Sequence, residues 1–271
     1  MRILVATGGE SHSDLAVRLG GIIQETTGGA LTLLTVIRAE TERSQAKAIL
    51  SRAGTLIAAT PSEIETRIRT GQPAAEIVRE AKVGNYDLLV VGERIQHGFI
   101  RRFLAPTAER VIAQMPCPVL IARGKPQPPR RLLVCESGRE PTLLNRLISG
   151  LPSLLTAANE LTVLHVMSQI AAAPGVRGWV LRADAEELIQ EHTPEGSLFE
   201  GDIARSKELN INLKAKVRHG LVVQEIHNEA RSGDYNLVAI GAHQVRGWKR
   251  YLLDDLAHEI IEETDRPLLV V

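Results

Sequence analysis

Short apolar runs alternate with amphipathic stretches along the first 123 residues of the chain. Continuous apolar runs are typical of buried strands, polar–apolar alternation of half-buried strands, and a 3.6-residue apolar spacing of helices. The predicted elements follow one another as strand 3–7, helix 13–24, strand 31–37, helix 42–59, strand 64–69, helix 73–83, strand 86–91, helix 103–114 and strand 118–122. Alternating strands and helices predict a parallel sheet, because parallel neighbours need a crossover connection.

The second part of the chain repeats the first. Adding 149 to the residue numbers converts Glu76-Ile77 into Glu225-Ile226, while near the start the shift is 129, from Arg2 to Arg131. The second copy therefore carries about twenty additional residues (149 minus 129), which we place between Ser168 and Asn210. Repetition over this length predicts two copies of one structural unit.

We therefore predict two tandem doubly wound α/β domains, each with a five-stranded parallel sheet. The first domain covers residues 1–123 and the second 131–271, and a linker stiffened by three prolines covers 124–130. In such sheets ligands bind beyond the carboxyl ends of the strands, where the strand order reverses. The loops after the first and fourth strands of each copy are thus the expected binding regions.

Composition and charge argue against several classes of protein. Lys plus Arg and Asp plus Glu both count 32, so the formal net charge is zero, which argues against a nucleic-acid binder. The apolar runs are far shorter than the roughly 18 residues that cross a bilayer, and the start of the chain does not have the pattern of a signal peptide. We expect Cys117 and Cys135 to be buried, reduced thiols, and the protein to be cytoplasmic.

Several motifs resemble the universal stress protein family in a tandem two-domain form. They lie in corresponding order in the two copies and cover nearly the whole chain. They are residues 86–92, 98–104, 108–112 and 115–121 in the first copy, and 235–241, 247–253 and 266–271 in the second. The resemblance implies the family's fold, which is also similar to that of the adenine nucleotide alpha hydrolases, and it implies self-association through the last strand of each copy.

The resemblance also implies a way to bind ATP, and this chain departs from it. Family members that bind ATP use an acidic residue after the first strand, a glycine-rich loop and a Gly-Ser or Gly-Thr pair that starts a helix. Here the acidic positions hold Gly8 and Ser137, and the pairs are Ala105-Pro106 and Asp254-Asp255. Proline lacks an N–H to donate, and two carboxylates repel phosphate. We therefore predict degenerate nucleotide pockets and no cofactor.

The pocket positions themselves can still be placed. The candidates for nucleotide or anion contacts are Gly8, Gly9, Val36, Gly92, Gly98 and Arg101 in the first copy, and Ser137, Val166, Gly241, Gly247 and Arg250 in the second. One interpretation is that the glycines are retained because the turns need positive φ or close packing. The alternative is that the pockets bind ATP weakly or bind another phosphate-bearing metabolite.

The loop Thr7 to Ser13 permits a second alternative. A double glycine between a strand and a helix can form an anion-binding nest, and this loop distantly resembles that of the ATP pyrophosphatases. It is one residue shorter and lacks the aspartate, so we favour a plain turn with Ser11 or Ser13 capping the helix.

Other side chains give no sign of catalysis. The eight histidines show no metal-ligand spacing, and neither a nucleophile elbow nor a Walker loop occurs. The arginines beside the loops are expected on a solvated surface, and Phe99 and Trp248 are expected to cap the local core or, alternatively, to contact a partner. We predict no metal and no enzyme activity.

The last strands and the additional segment bear on partners. We expect Cys117 to Ala122 and Arg266 to Val271 to meet at a pseudo-two-fold axis, which gives an internal pseudo-dimer, and a further homodimer through exposed strand edges. We interpret 168–210 as a mobile, partly helical surface segment, with an acidic helix around 184–191 that Pro194-Glu195-Gly196 breaks before Leu198. Such segments often contact partners.

These observations favour a non-enzymatic, cytoplasmic stress-response protein that acts as a regulatory or interaction module with an unknown protein partner. The alternative is a sensor that binds ATP or another phosphate-bearing metabolite at the strand-end loops. Neither function involves nucleic acid or a membrane.

Overall fold

The computed structural model describes residues 1–57, 64–93, 106–168, 182–244, 251–252 and 255–271. In the first half, five strands alternate with four helices. They are β1 (Arg2–Ala6), α1 (Ser11–Thr27), β2 (Ala30–Ile37), α2 (Arg43–Gly54), β3 (Ile64–Thr70), α3 (Pro73–Val83), β4 (Leu88–Gly92), α4 (Pro106–Ala113) and β5 (Val119–Ala122).

The second half repeats this order, with additional helices. Its elements are β6 (Arg131–Glu136), α5 (Leu143–Gly150), α6 (Pro152–Thr156), β7 (Glu160–Met167), α7 (Ala185–Gln190), α8 (Pro194–Glu208), β8 (Leu213–His219), α9 (Val222–Ser232), β9 (Leu237–Ile240), β10 (His243–Gln244), β11 (Tyr251–Leu252), α10 (Asp255–Glu263) and β12 (Leu268–Val270). A short 3₁₀ turn at Glu40–Glu42 precedes α2, and β10 and β11 form a separate two-stranded ribbon.

Ten strands form one continuous sheet in the order β3-β2-β1-β4-β5-β12-β9-β6-β7-β8. Within each half all neighbours are parallel, so the predicted five-stranded parallel arrangement is confirmed. At the centre β5 and β12 pair antiparallel, with Leu120 opposite Leu269, and this pairing joins the halves. Because both central strands are paired on both sides, they offer no free edge for the predicted homodimer, which stays a prediction.

Helices cover both faces of the sheet because the strand side chains alternate between two cores. In β4, Leu88 and Val90 belong to the core cluster that includes side chains of α1, α2, α5 and α8 on one face. Leu89 and Val91 belong to the cluster that includes side chains of α3, α4, α9 and α10 on the other face. All four side chains are at most 5% exposed. This arrangement is the doubly wound architecture that the sequence predicts.

Two predicted element boundaries need correction. The first helix begins at Ser11 rather than Ser13, because Glu10 already has the extended backbone of an N-cap residue. The second helix ends at Gly54 instead of continuing to Ala59, and residues 58–63 lie outside the described part of the chain. The start predicted at Phe103 for the fourth helix also lies outside it, and the described helix begins at Pro106.

The repeat extends to a buried ion-pair network that fixes β3 and β8 to the helices after them. In the first half the Arg69 guanidinium donates to the Glu80 carboxylate. In the second half Arg218 donates to Glu229 at 2.6 Å, and the Tyr235 hydroxyl donates to the same carboxylate at 2.8 Å. Since 218 minus 69 and 229 minus 80 both equal 149, the duplication read from the sequence is also a duplication of contacts.

The described part of the additional segment is exposed on one side and packed into the core on the other. Helices α7 and α8 form, but the predicted break at Pro194-Glu195-Gly196 is wrong, because these residues form the first turn of α8 and the helix before them ends at Gln190. Leu188 is fully buried and Phe199 is 2% exposed. Both side chains belong to the core cluster on the α1 side of the sheet. Apolar side chains at helical spacing therefore dock both helices onto the sheet, while residues such as Glu187 and Glu200 on the same helices are exposed.

A buried ion pair of the first half lies at the junction between the halves. Glu93 follows β4, Arg123 follows β5, and the Arg123 Nη2 atom lies 2.9 Å from the Glu93 Oε1 atom. Arg123 Nη1 also donates to the carbonyl groups of Ile261 and Thr264 at the end of α10. The guanidinium therefore links strand ends of the first half to a helix of the second half.

The two cysteines are free thiols. Cys135 is buried as predicted, whereas Cys117 is only partly buried. Burial is the main cause that raises the pKa of Cys117 to about 12, and it raises the pKa of Cys135 further. Neither thiol is therefore reactive at neutral pH, since the thiolate is the nucleophilic form.

Candidate functional site

A cavity of about 440 Å³ lies at the carboxyl ends of β1, β2 and β4. This is the point where the strand order reverses in the first half, as the sequence predicts. Its walls come from three strand ends, the start of α1, α3 and the start of α4. The described lining residues are Ala6, Thr7, Gly8, Glu10, His12, Ser13, Leu34, Val36, Pro73, Ile77, Val91, Gly92, Pro106, Thr107 and Ala108.

The loop after β1 forms a hydrogen-bonded turn beside this cavity. The backbone N–H of Gly9 donates to Thr7 Oγ1 at 3.2 Å, and Ser13 Oγ donates to the Glu10 carbonyl at 2.7 Å. Gly9 has a φ of 81°, which favours glycine. The prediction that Ser11 or Ser13 caps the helix is wrong: Glu10 is the N-cap residue and no side chain caps it.

Gly92 is required by close packing. A Cβ atom at this position would lie 2.2 Å from the backbone carbonyl oxygen of His12. Gly8, by contrast, has nothing within 4 Å of an added Cβ atom. The fold therefore explains Gly92 without a ligand, whereas a larger side chain at Gly8 has room beside the cavity.

A second cavity, of about 270 Å³, occupies the equivalent place at the ends of β6, β7 and β9. Leu164, Ile226 and Ile260 form the apolar part of its wall. Its polar lining consists of Glu136, Ser137, Arg139, Arg146 and His165.

The Glu136 carboxylate occupies the start of α5. Its Oε2 atom accepts the N–H of Leu143 at 3.0 Å, and its Oε1 atom accepts the N–H of Leu144 at 2.8 Å. Burial raises the pKa of Glu136, although these two hydrogen bonds oppose the rise. The amides that a helix start offers to an anion are thus already used by the chain itself.

A second buried carboxylate lies behind Glu136. Asp202 of α8 is 1% exposed, and its Oδ1 atom accepts a hydrogen bond of 2.9 Å from the Thr142 hydroxyl. Burial, together with the charge of Glu136, raises the pKa of Asp202 to about 7. Sequence reasoning missed both carboxylates. The only available signal for Glu136 was an acidic residue at the end of a buried strand, and Asp202 lay in the segment interpreted as surface.

His165 completes the polar side of the second cavity. Its Nδ1 atom lies 3.2 Å from the Glu136 carbonyl oxygen, and burial lowers its pKa. Gly241, at the end of β9, lies under the Arg146 side chain, since an added Cβ atom would be 2.4 Å from Arg146 Nη2. Gly241 therefore lets a guanidinium pass close to the backbone.

The predicted site residues fall into three groups. Gly8, Val36 and Gly92 line the first cavity, and Gly9 lies in the adjoining turn. Ser137, Val166 and Gly241 line the second cavity. The remaining candidates, Gly98, Arg101, Gly247 and Arg250, lie outside the described residues, as do His97, Phe99 and Trp248.

The described parts of the helices that face the two cavities start at informative residues. The described part of helix α4 starts at Pro106, which has no N–H to offer a ligand. The described part of helix α10 starts at Asp255, an acidic residue. Among the residues that the structure describes, no group of three or more His, Cys, Asp or Glu side chains is arranged to hold a metal ion. The described helices include none that is long and apolar enough to span a membrane.

Comparisons with known proteins agree with the duplicated fold. The model of the universal stress protein family matches residues 1–123 and again residues 136–271. A curated universal stress protein from Methanocaldococcus jannaschii is 41% identical over 61 residues, which is 22% of this chain and 36% of that protein. The match therefore spans about a third of that relative's length.

Solved structures cover the whole chain. A universal stress protein from Archaeoglobus fulgidus DSM 4304 superposes with a TM-score of 0.73 at 16% identity, over 99% of this chain and 97% of that one. A protein of unknown function from Pseudomonas aeruginosa PAO1 gives a TM-score of 0.66 at 16% identity, over 100% and 92%. At these identities the likeness shows the fold alone.

Proposed function

The chain belongs to the universal stress protein family, and from the residues of its cavities we propose that it is a non-enzymatic stress-response module that does not rely on bound ATP. The observation that carries the proposal is the residue at which the described part of each cavity-facing helix starts. These residues are Pro106 in α4 and Asp255 in α10. Phosphate recognition at a helix start needs N–H donors and is opposed by negative charge.

The second cavity adds an independent reason. Glu136 lines it and already accepts the N–H groups of Leu143 and Leu144. A phosphate placed there would meet a carboxylate, and two like charges at 4 Å repel by about 1 kcal/mol even in bulk water. Arg139 and Arg146 also line the cavity, but Arg146 Nη1 donates to the Val271 carbonyl at 3.0 Å. The second half is therefore the poorer of the two sites for a triphosphate.

Restoring donors in the first half should restore ATP affinity. We expect Ala105→Gly combined with Pro106→Ser to tighten Mg-ATP binding by roughly ten- to a hundredfold, since each net hydrogen bond contributes about 1 kcal/mol and 1.4 kcal/mol is tenfold. Isothermal titration of the variant and the natural protein measures the change. The matched control is Asp254→Gly with Asp255→Ser, where Glu136 remains and the gain should be smaller. Equal, tight binding by the unmodified chain would contradict the proposal.

One observation favours the alternative function, a sensor of a phosphate-bearing metabolite at the first cavity. This cavity is the larger of the two equivalent ones, and Gly8 has room for a side chain beside it. Adding Gly8→Asp to the Ala105→Gly, Pro106→Ser variant supplies the missing acidic residue. A further gain in affinity would show that the nucleoside end of this cavity is intact. If the unmodified protein binds a smaller adenine nucleotide there, the sensor is the better description.

We also propose that the protein is cytoplasmic, that it contacts other proteins there, and that it associates with a second copy of itself. Two free cysteines with raised pKa values suit a reducing compartment. The outer strands β3 and β8 carry alternating charged residues such as Arg67 and Lys216, which discourage edge-to-edge pairing. A homodimer would therefore use helix faces rather than strand edges, and sedimentation at several protein concentrations would detect it.

A further inference from the structure

Exposed apolar side chains lie beside the second cavity, at positions that are polar in the first half. By the shift of 149, Leu221 stands where the first half has Gln72, and Leu256 stands where it has Thr107. Leu256 lines the cavity and is 41% exposed, and Leu221, at 47%, directly precedes the lining residue Val222. Exposed apolar surface that is grouped in this way often marks a ligand-binding groove.

The cavity, of about 270 Å³, has an aliphatic wall and a polar wall. Helices α9 and α10 supply aliphatic lining side chains, namely Val222, Ile226, Leu256, Ala257 and Ile260. The polar wall contains charges of both signs, because Glu136, Arg139 and Arg146 all line the cavity. Glu136 and Arg146 are close enough for the charge of the arginine to lower the pKa of the carboxyl group against the effect of burial. A wall with both charges favours an uncharged ligand over an anion or a cation.

His165 offers this cavity a hydrogen-bond acceptor. Its Nδ1 atom lies 3.2 Å from the Glu136 carbonyl oxygen. Because a carbonyl oxygen only accepts, Nδ1 carries the hydrogen, and the lone pair of the neutral ring is on Nε2. Burial lowers the pKa of His165, which favours the neutral ring. The described residues give the ring no second hydrogen bond, and Nε2 is not an enclosed atom, so it can accept a hydrogen from a molecule in the cavity.

We propose that the second cavity binds a small, uncharged, mainly apolar molecule with one hydroxyl group, such as a phenol, whose hydroxyl donates to His165 Nε2. The apolar part of the ligand lies against α9 and α10, where it removes exposed leucine surface from water. The cavity is near the lower end of the roughly 300–1,000 Å³ that is usual for small-molecule sites, so a molecule with a single ring suits it. This inference goes beyond the proposed function, which concerns phosphate groups.

The first test uses defined probes with the unmodified protein. 4-Ethylphenol belongs to the proposed class, and in 4-ethylanisole a methyl group replaces the hydroxyl hydrogen. We expect isothermal titration to show one saturable site for 4-ethylphenol, with a dissociation constant of about 1 mM or lower. 4-Ethylanisole should bind roughly five- to tenfold more weakly, because it has no hydrogen to donate. The anion 4-ethylbenzoate should also bind more weakly than the phenol.

The second test changes the walls of the cavity. Leu256→Thr restores the residue that the first half has in Thr107, at an exposed position where folding is not endangered. We expect it to weaken 4-ethylphenol binding roughly three- to tenfold, because apolar contact is lost. Val83→Thr is the matched control, since Val83 is 68% exposed and lies in α3 of the first half, and it should leave the affinity unchanged. His165→Phe should bind the phenol and its methyl ether equally well.

Four results would overturn the proposal. The first is the absence of saturable 4-ethylphenol binding up to the solubility limit of the probe. The second is equal affinity of the unmodified protein for the phenol and its methyl ether, a comparison that needs no folded variant. The third is tighter binding of 4-ethylbenzoate, which would make the ligand an anion. The fourth is undiminished affinity in Leu256→Thr, which would place the binding elsewhere on the protein. Because ATP enters none of these measurements, their failure leaves the proposed function untouched.

Discussion

Replacing Arg123 by methionine should destabilise the protein by about 3–5 kcal/mol, the usual cost of removing one partner from a buried ion pair. The substitution leaves the Glu93 carboxylate in a site that is 2% exposed. It also removes the donors to the carbonyl groups of Ile261 and Thr264. With about 2–4 °C per kcal/mol for a chain of this size, the melting temperature should fall by roughly 10 °C.

A matched substitution in an exposed ion pair shows how much of the loss depends on the burial of the Arg123 pair. Arg43→Met removes an arginine from the exposed pair with Glu40, whose side chains are more than half exposed, so we expect a loss below about 1 kcal/mol. Arg123→Met combined with Glu93→Leu should recover part of the loss, because no unpaired carboxylate then remains. Similar melting temperatures for Arg123→Met and Arg43→Met would show that the pair does not hold the halves together.

Raising the pH from about 4 to about 7 should lower the free energy of unfolding, because Asp202 titrates differently in the folded and unfolded states. Burial and the charge of Glu136 raise the pKa of Asp202 to about 7 in the folded protein, from an ordinary value near 3.8. A raised pKa means that the folded state keeps a proton that the unfolded state loses, so the stability contributed by this group is present at low pH and lost as the pH rises to 7. The upper limit is roughly 4 kcal/mol, at 1.36 kcal/mol per pKa unit.

Asp202→Asn tests this dependence without removing the side chain. The asparagine can still accept from the Thr142 hydroxyl, so the variant should match the natural protein near pH 4 and exceed its stability at pH 8 by about 2 kcal/mol. Urea unfolding at both pH values measures the difference. Glu200→Gln, an exposed neutralisation in the same helix, is the control and should change nothing. Equal pH slopes for the natural protein and Asp202→Asn would contradict the assignment.

Periodicity and duplication were enough to predict the architecture. The alternation of apolar and polar residues in Ile64 to Arg69 marks an edge strand, and the continuous run Leu88 to Val91 marks a central strand buried on both faces. The shift of 149 between the copies predicts equivalent elements, and the repeated pairs Arg69–Glu80 and Arg218–Glu229 confirm the repeat in three dimensions. These are local or periodic signals, and a single sequence contains them.

Long-range contacts could not be predicted in this way. Glu93 and Arg123 are thirty residues apart (123 minus 93), and the carbonyl groups that Arg123 reaches lie in the other copy. The burial of Leu188 and Phe199 depends on how α7 and α8 dock, which the sequence obscures because Pro194-Glu195-Gly196 predicts a break. From the sequence alone, charged residues such as Glu136 and Asp202 would be placed on the surface, and the folded structure shows that they are enclosed.

The duplicated fold also explains why the two halves can differ. In a single-unit dimer every substitution occurs twice, whereas a tandem chain can change one copy alone. Here Glu93 in the first copy corresponds to Ala242 in the second, and Pro106 corresponds to Asp255. The first difference gives the first half a buried carboxylate beside Arg123 and the second half a buried methyl group. We propose that the second weakens phosphate binding in each half by different chemistry.

The most direct test of the central claim is a thermal-shift titration of the unmodified protein with Mg-ATP, repeated with ADP and AMP. A ligand at a hundred times its dissociation constant stabilises a protein by about 2.7 kcal/mol, which corresponds to a rise of roughly 5–10 °C here. Pro106 at the start of the described part of α4 and Asp255 at the start of that of α10 predict no saturable rise with ATP. A saturable rise with Mg-ATP would contradict the account and make the protein a nucleotide sensor.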